Sequence, residues 1–152
     1  MKKRLRHHLR GEVGSEILEF AFVAPLLLVL VGGIVDFGFI FQRYEVVINA
    51  AREGVRIGSR PGFSATDVQN RVLAYVQDSG LPTTGGNPTV TVTPTTMTSG
   101  GNSWPATQVN VSYAHDYMLL DALAALVGGS FGSITLQAQM TMRDEVAGGG
   151  GL

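Results

Sequence analysis

The stretch GEVGSEILEFAFVAPLLLVLVGGIVDFGF, residues 11–39, decides the fold of this chain. A run without any charge begins at Phe20, and the apolar character continues, interrupted by Asp36, as far as Phe41. These 22 residues correspond to roughly 33 Å of α-helix at about 1.5 Å per residue. The hydrocarbon core of a bilayer is about 30 Å thick. The stretch therefore predicts a transmembrane helix, to which we assign residues 15–41.

A cleaved secretory signal is the other element that such a stretch could represent. Its apolar region would hold only about 7–15 residues, and a cleavage site with small residues would follow it. The run in this chain is longer, and no such site precedes the polar sequence FQRYEVV at residues 41–47. The sequence therefore predicts a span that is retained. Pro25 lies about one turn inside this span and is expected to kink it, which membrane helices tolerate.

The uneven distribution of charge predicts the orientation of the span. Residues 1–14 carry five bases and one acid, a net of +4, and the rest of the chain sums to −5 because the whole chain carries −1. This basic leader predicts a cytoplasmic N-terminus and an extracytoplasmic domain at 42–147, anchored in the cytoplasmic (inner) membrane. The acidic domain also argues against nucleic acid as a partner, because phosphate binding requires a basic face.

Few residues offer catalytic or metal chemistry. The chain has no cysteine, which excludes disulfides, thiolate metal sites and a cysteine nucleophile. His7 and His8 are too few for a metal-binding tract. His115 and Asp116 are neighbours at the end of a predicted strand, and adjacent side chains of a strand point to opposite faces. We therefore expect no enzymatic activity, no cofactor and no metal, and we expect a flexible glycine tail at 148–152.

Two acids, Glu19 and Asp36, bracket the apolar run. They are 17 residues apart, which is about 26 Å along a helix. An acid at the edge of a membrane costs little, and this is the simpler interpretation of Asp36. Glu19 directly abuts the uncharged run, so it faces a larger desolvation penalty. The sequence before it offers two glycines that are each followed five residues later by an acid, namely Gly11 with Glu16 and Gly14 with Glu19.

The motif GSEILEF, residues 14–20, resembles the cleavage site of type IV prepilins and pseudopilins. The resemblance implies that a membrane-embedded aspartic prepilin peptidase cuts after Gly14 on the cytoplasmic side. Ser15 then becomes the first residue of the mature chain, and Glu19, followed by the aromatic Phe20, becomes the fifth. The new α-amino group, with an ordinary pKa of about 7.7–8, is expected to pair with Glu19 of a neighbouring subunit and to fix the register between helices.

Cleavage after Gly11 is the alternative, and three observations favour Gly14 over it. Glu16 is followed by an isoleucine, whereas Glu19 is followed by an aromatic residue. Glu19 alone stands directly against the uncharged run. Cleavage after Gly11 would also leave both acids in the first helical turns of the mature chain.

The stretch EFAFVAPLLLVLVGGIVDFG, residues 19–38, is similar to the TadE-like family of pseudopilins, which serve the Tad (Flp) branch of bacterial type IV pili. That family typically shows Glu-Phe-Ala, a proline shortly after, a leucine-rich run and an acid-Phe-Gly step. The sequence NAAREGVRIG at 49–58 resembles a further family motif, Ala-Ala-Arg-Glu-Gly-x-Arg. The fitting positions are Glu19, Phe20, Ala21, Pro25, Asp36, Phe37, Gly38, Arg52, Glu53 and Arg56. The resemblance covers roughly residues 14–58, and Phe39 departs from it where many members carry a polar or basic residue.

Beyond the membrane the helix is expected to continue to about Ile57, with Pro61 as a stop. Ala50, Gly54 and Gly58 recur every four residues and form a small-residue stripe that lets another helix or sheet approach closely. Helix propensity followed by a stop signal would give the same residues. A solvated face is expected to hold the charged residues of the family motif, Arg52, Glu53 and Arg56.

The remaining sequence predicts a small domain of helices and strands. SATD at 64–67 has the form of a capping box that starts a helix. Strict alternation predicts the strands 89–93, 108–113 and 133–142. The first two are expected to form a hairpin around a loop at 95–106. The predicted fold class is α+β, in which a long N-terminal transmembrane helix continues into a small pilin-like domain with about three antiparallel strands.

The sequence YMLLDALAALVGG at 117–129 is apolar nearly all round, with Asp121 as its only charge. A helix of this kind is buried, or it docks on a membrane or on a partner. Burial within the domain is the simpler expectation. An exposed patch for another pilin subunit is the alternative.

The function predicted from these features is that of a minor pilin or pseudopilin of a Tad (Flp) type IV pilus assembly system. Its expected partners are the prepilin peptidase, other pilin or pseudopilin subunits, the pilus assembly platform and the membrane, with incorporation into a surface pilus. The residues expected to act in helix packing and assembly are Glu19, Pro25, Asp36, Ala50, Gly54 and Gly58. The alternative is an unprocessed single-pass membrane protein whose extracytoplasmic domain binds a ligand or an envelope component.

Overall fold

The structure of the chain is a computed structural model that describes residues 8–82 and 86–145, with side chains from Gly14 onward. Residues 1–7 of the predicted leader and the predicted glycine tail at 148–152 lie outside the described residues.

Helix α1 spans His8–Gly58 and contains 51 residues. Its apolar run contains leucines at 26, 27, 28 and 30, and leucine favours helix. Pro25 lies inside the helix, where its missing N–H removes one backbone hydrogen bond. After Gly58 the N–H of Ser59 still donates to the carbonyl of Val55 at 3.0 Å, and Pro61 follows shortly. The predicted end of the helix is confirmed.

The chain divides into two compact units, which we call the helix unit and the sheet unit. The helix unit contains the chain up to Phe37 together with Met118–Phe131. The sheet unit contains Gly38–Tyr117 together with the residues from Gly132 onward. Helix α1 therefore contributes its apolar N-terminal part to the first unit and its C-terminal part to the second. The hydrophobic core of the described residues lies in the sheet unit.

Helix α2 spans Ala65–Asp78 and begins with the capping box expected from SATD. The Ser64 hydroxyl accepts from the N–H of Asp67 at 3.2 Å, and the Asp67 carboxylate accepts from the N–H of Ser64 at 2.8 Å. Two N–H groups that lack helical partners are thereby satisfied. The hydrogen bonds from Ser64 also hold the pKa of the Asp67 carboxyl below its usual value.

Three antiparallel strands form one sheet in the order β1-β2-β3. They are β1 at Thr89–Ser99, β2 at Asn102–Asp116 and β3 at Ser133–Arg143. The α+β fold predicted from sequence is confirmed, but the predicted loop at 95–106 is wrong. The hairpin is paired as far as Ser99 and Asn102, and it turns on Gly100 and Gly101 alone. Both glycines have positive φ, 58° and 81°, the conformation that a two-residue hairpin turn requires.

The core of the sheet unit lies between the sheet and the two helices. Along β2 the side chains of Val109, Val111 and Tyr113 are buried at alternate positions, as the period of a strand requires. The residues that complete the core are Val47, Ala50, Ala51, Val55, Val68, Val72, Val76, Leu81, Leu136 and Ala138. Each large side chain buried in this way contributes about 1.5–3 kcal/mol of transfer free energy.

The apolar sequence at 117–129 forms a short helix, α3, at Leu119–Ala125. This helix belongs to the helix unit, and none of its residues is fully buried. The expectation that it is buried within the domain is therefore wrong. Leu126 and Val127, directly after it, are 81% and 86% exposed.

Candidate functional site

The residues of the predicted processing motif lie on the first turns of α1 whose side chains the structure describes. Gly14, Ser15, Glu19 and Phe20 are all exposed. A β-carbon at Gly14 would meet no atom within 4 Å. The described part of the chain therefore leaves this motif open to another protein.

Helix α1 carries the candidate membrane span of the described residues, within Gly14–Gly58. Its most apolar 18-residue window has a mean hydropathy of 2.4, and 6% of that window is buried. The large apolar side chains exposed along it include Phe20, Phe22, Leu26, Leu28, Leu30 and Ile34. An apolar surface of this extent requires lipid or other helices to cover it. By length and composition, the helix is able to cross a membrane.

The carboxylate of Asp36 is bound within the protein, a contact that the sequence did not predict. Asp36 is 1% exposed, and its carboxylate accepts hydrogen bonds from the first amides of α3. Oδ1 lies 3.1 Å from the N–H nitrogens of both Met118 and Leu119. Oδ2 lies 3.1 Å from that of Leu119 and 2.8 Å from that of Leu120. A side chain of α1 thus satisfies the amides that the start of a helix leaves open.

Gly32, one turn before Asp36, allows α3 to lie close to α1. A β-carbon at Gly32 would lie 3.2 Å from Cδ1 of Leu123 and 3.5 Å from Cβ of Leu119. Both contacts are within the helix unit. No local pattern in the sequence predicts this arrangement, because the bonded residues are separated by 82 to 84 positions.

Arg43 and His115 form a buried polar contact in the sheet unit that the sequence analysis missed. His115 is 0% exposed, and its Nδ1 accepts a hydrogen bond from the Arg43 guanidinium. The same guanidinium lies 5.9 Å from the centre of the Phe39 ring, within the range of a cation–π interaction. Phe39, which departs from the TadE-like pattern, therefore has a structural role beside Arg43.

The charged residues of the motif at 49–58 bind one another and α2. Glu53 forms a two-pronged ion pair with Arg56, at 2.8 Å from Nη2 and 2.9 Å from Nε. Its Oε1 also lies 3.1 Å from Nε of Arg71 on α2. These contacts, chiefly the hydrogen bonds from Arg56, hold the pKa of the Glu53 carboxyl below its usual value of 4.5. Arg52 and Arg56 are exposed, as expected, but Glu53 is a link between two helices.

The small-residue stripe packs against the chain itself. Ala50 is fully buried. A β-carbon at Gly54 would lie 2.6 Å from Cγ2 of Val72 on α2 and 3.1 Å from Cγ1 of Val109 on β2. One at Gly58 would lie 2.9 Å from Cγ2 of Thr107. The stripe lets α2 and β2 approach α1, in agreement with the close approach that the sequence predicted.

A family model described as TadE-like protein matches residues 14–56. This segment, which we call the TadE-like segment, is similar to that family. Its first residue is Gly14, the glycine of the predicted processing motif, and its last is Arg56, the partner of Glu53. The resemblance inferred from the sequence is confirmed over this range. No curated protein and no solved structure matches the chain.

The TadE-like segment lies entirely in α1. It contains the exposed residues of the predicted processing motif, the most apolar part of α1, Asp36 and Glu53. The elements that Asp36 and Glu53 bind, α3 and α2, lie outside the matched range. Within residues 8–82 and 86–145, no group of three or more His, Asp or Glu side chains could hold a metal ion.

Proposed function

We propose that this chain is a minor pilin or pseudopilin of a Tad (Flp) pilus assembly system, processed after Gly14. The observation that carries this proposal is the TadE-like match at 14–56, which begins at Gly14. A TadE-like segment indicates a protein associated with the Tad pilus. The exposed apolar helix supports the finer role, because a pilin subunit needs a long helix that packs laterally on its neighbours.

The same helix surface serves two stages of assembly in this proposal. Before assembly lipid covers the exposed side chains of α1, and afterwards neighbouring helices replace the lipid. Lipid tails are as apolar as leucine, so this exchange needs specific contacts to drive it. Glu19 supplies one such contact, because the carboxylate is exposed at the edge of the apolar run.

Cleavage creates the partner for Glu19. The α-amino group of Ser15 has an ordinary pKa of about 7.7–8 and is mostly protonated near neutral pH. Pairing with Glu19 of a neighbouring subunit offsets the desolvation of both charges and selects one axial register. The partners that follow are the prepilin peptidase, other pilin subunits and the assembly platform, in the inner membrane with the N-terminus cytoplasmic.

The alternative, an unprocessed membrane protein with an extracytoplasmic ligand-binding domain, gains no support from two clefts in the sheet unit. Their volumes are about 180 Å³ and 140 Å³. Typical small-molecule sites measure about 300–1,000 Å³. These clefts therefore do not favour a small-molecule ligand.

Mass spectrometry of the membrane-purified chain, made with and without an active prepilin peptidase, tests the proposal. We expect a mature mass that begins at Ser15 when the peptidase is present. Gly14→Trp should leave the chain intact, and the matched variant Gly11→Trp should still be cut. An intact Met1 chain beside an active peptidase would refute processing. Cleavage of Gly14→Trp at Gly11 would assign the site to the earlier glycine.

A further inference from the structure

The segment Met118–Phe131, which we call the α3 loop, is apolar and largely exposed. It contains α3 and the turn after it. The large apolar side chains that it exposes are Met118, Leu119, Leu126, Val127 and Phe131. The segment includes no lysine or arginine. Since none of α3 is fully buried, the fold of the chain does not account for this apolar surface.

The α3 loop is attached to the part of α1 that can cross a membrane. The carboxylate of Asp36 binds its first amides, and its leucines contact the position of a β-carbon at Gly32. Gly32 lies four residues before Asp36, which is about 6 Å along a helix. Gly32 also lies inside the uncharged run that begins at Phe20. If α1 spans a bilayer, the α3 loop lies at the depth of the acyl chains.

The backbone groups at both ends of α3 form hydrogen bonds within the chain, as an environment without water requires. Asp36 accepts from the first amides, and the last turn has bonds of its own. There the N–H of Gly129 donates to the carbonyl of Ala124 at 2.9 Å and that of Gly128 to the carbonyl of Ala125 at 3.2 Å. With Gly128 at φ 76°, this is a Schellman cap. Groups that enter hydrocarbon must be satisfied internally in this way.

The one charged side chain of the α3 loop is also bonded within it. Asp121 Oδ1 accepts from the hydroxyl of Ser130 and from the N–H of Phe131, both at 2.8 Å. These bonds close the turn and reduce the penalty for moving the carboxylate close to lipid.

We propose that the α3 loop inserts into the membrane beside α1 as a second, non-spanning membrane element, with the lipid of one leaflet as its occupant. With Asp36 at the membrane surface, the contact of the α3 loop with Gly32 lies about 6 Å deeper. This depth falls within the 5–10 Å that interfacial elements typically reach. A protein partner would cover one face of the loop, whereas lipid can cover all of its exposed apolar side chains and is compatible with a backbone that is hydrogen-bonded internally. This inference rests on the part of the proposed function that makes α1 a membrane span.

Site-specific fluorescence in vesicles tests this proposal. Because the chain has no cysteine, a single Val127→Cys in the full chain carries one environment-sensitive nitrobenzoxadiazole probe. Leu26→Cys marks the span, and Ser99→Cys marks the exposed end of the β1-β2 hairpin. Each labelled chain is reconstituted in phosphatidylcholine–phosphatidylglycerol vesicles and quenched by doxyl-labelled lipid and, separately, by aqueous iodide.

We expect quenching of the Val127 probe by doxyl lipid to lie within about twofold of that at Leu26, with weak quenching by iodide. The Ser99 probe should show the opposite pattern. Strong iodide quenching at Val127 overturns the proposal, and so does protection from both quenchers, which would indicate a second copy or another protein. The Leu26 probe shows separately whether α1 is inserted, and the mass of the chain shows whether it is processed. Failure of the proposed function can therefore be distinguished from failure of the α3 loop to insert.

Discussion

A β-carbon added at Gly54 would lie 2.6 Å from Cγ2 of Val72. Real β-carbons essentially never show so short a contact, so either α2 or the valine must move. The glycine in the motif Ala-Ala-Arg-Glu-Gly is therefore fixed by the close approach of α2 to α1.

Gly54→Ala should destabilise the sheet unit by about 1–3 kcal/mol, the usual result of overpacking a filled core. Gly38→Ala is the matched control, because a β-carbon there meets no atom within 4 Å. The control should be neutral or stabilising by up to about 1 kcal/mol, since alanine favours helix. Chemical unfolding of the detergent-solubilised chain measures both. Equal stability of the two variants would contradict the contact.

Asp36→Ala should release the α3 loop from α1. The change leaves the amides of Met118, Leu119 and Leu120 without their carboxylate acceptor, which costs about 1.5–3 kcal/mol of local stability. Hydrogen exchange of the amides in the α3 loop measures the effect. Glu19→Ala, which removes an exposed acid of the same helix, should leave that exchange unchanged. Unaltered protection in Asp36→Ala would show that the hydrogen bonds do not hold the loop.

The Glu53 ion pairs should make stability depend on pH in the acid range. Because the folded-state pKa of Glu53 is below 4.5, its contribution is fully present above the unfolded-state pKa and is lost as pH falls through the folded-state pKa. Asp67, whose pKa is also lowered, contributes with the same sign. Glu53→Gln should therefore reduce the slope of stability against pH below about 4.5 without abolishing it.

Thermal unfolding at several pH values provides the measurement for Glu53. Glu45→Gln, which changes an exposed carboxylate of the same helix, is the control and should leave the slope as it is in the unmodified chain. A slope that is identical in Glu53→Gln and the unmodified chain would contradict a stabilising pair.

The hairpin turn should tolerate asparagine but not alanine. Gly101 has φ 81°, so Gly101→Ala places a β-carbon in the left-handed region and should cost about 1–2 kcal/mol. Gly100→Asn should change stability by less than about 0.5 kcal/mol, because asparagine followed by glycine suits a two-residue hairpin. The unfolding midpoints of Gly101→Ala and Gly100→Asn, each compared with that of the unmodified chain, measure the two effects. The reverse order of stabilities would mean that the turn has a different conformation.

Glu19→Ala should leave cleavage intact and should lower incorporation into assemblies by roughly tenfold, the equivalent of about 1.4 kcal/mol. Glu16→Ala removes an exposed acid one turn earlier and should assemble normally. Cross-linking of processed subunits, quantified against total processed chain, measures incorporation. Normal assembly of Glu19→Ala would remove the pairing role proposed for this residue.

The features that were predictable from sequence are those that depend on neighbouring residues. The capping box of α2 joins Ser64 to Asp67, three positions apart, and the buried valines of β2 alternate as expected. The outer half of the hairpin was missed because residues 94–106 contain two prolines, few apolar residues and no alternation. Cross-strand hydrogen bonds extend the strands there, and Pro94 is tolerated because β1 is an edge strand.

The contacts that sequence reasoning could not supply join residues far apart in the chain. Asp36 reaches Leu120 across 84 positions, and Arg43 reaches His115 across 72. Neither contact has a local signal, because an acid at the end of an apolar run and a histidine on a strand occur in many different settings. The TadE-like resemblance could not help either, since it covers α1 and none of the elements that α1 binds.

The order of the strands determines when during synthesis this domain can close. The strand β2 pairs with β3 along Ala106–Asp116, and β3 ends at Arg143. Until β3 has been synthesised, β2 keeps an open edge, and the core that contains Val47 and Val55 lacks Leu136 and Ala138. The sheet unit is therefore completed only after the residues up to Arg143 have been synthesised, and until then the unpaired edge of β2 is open to pairing with other chains.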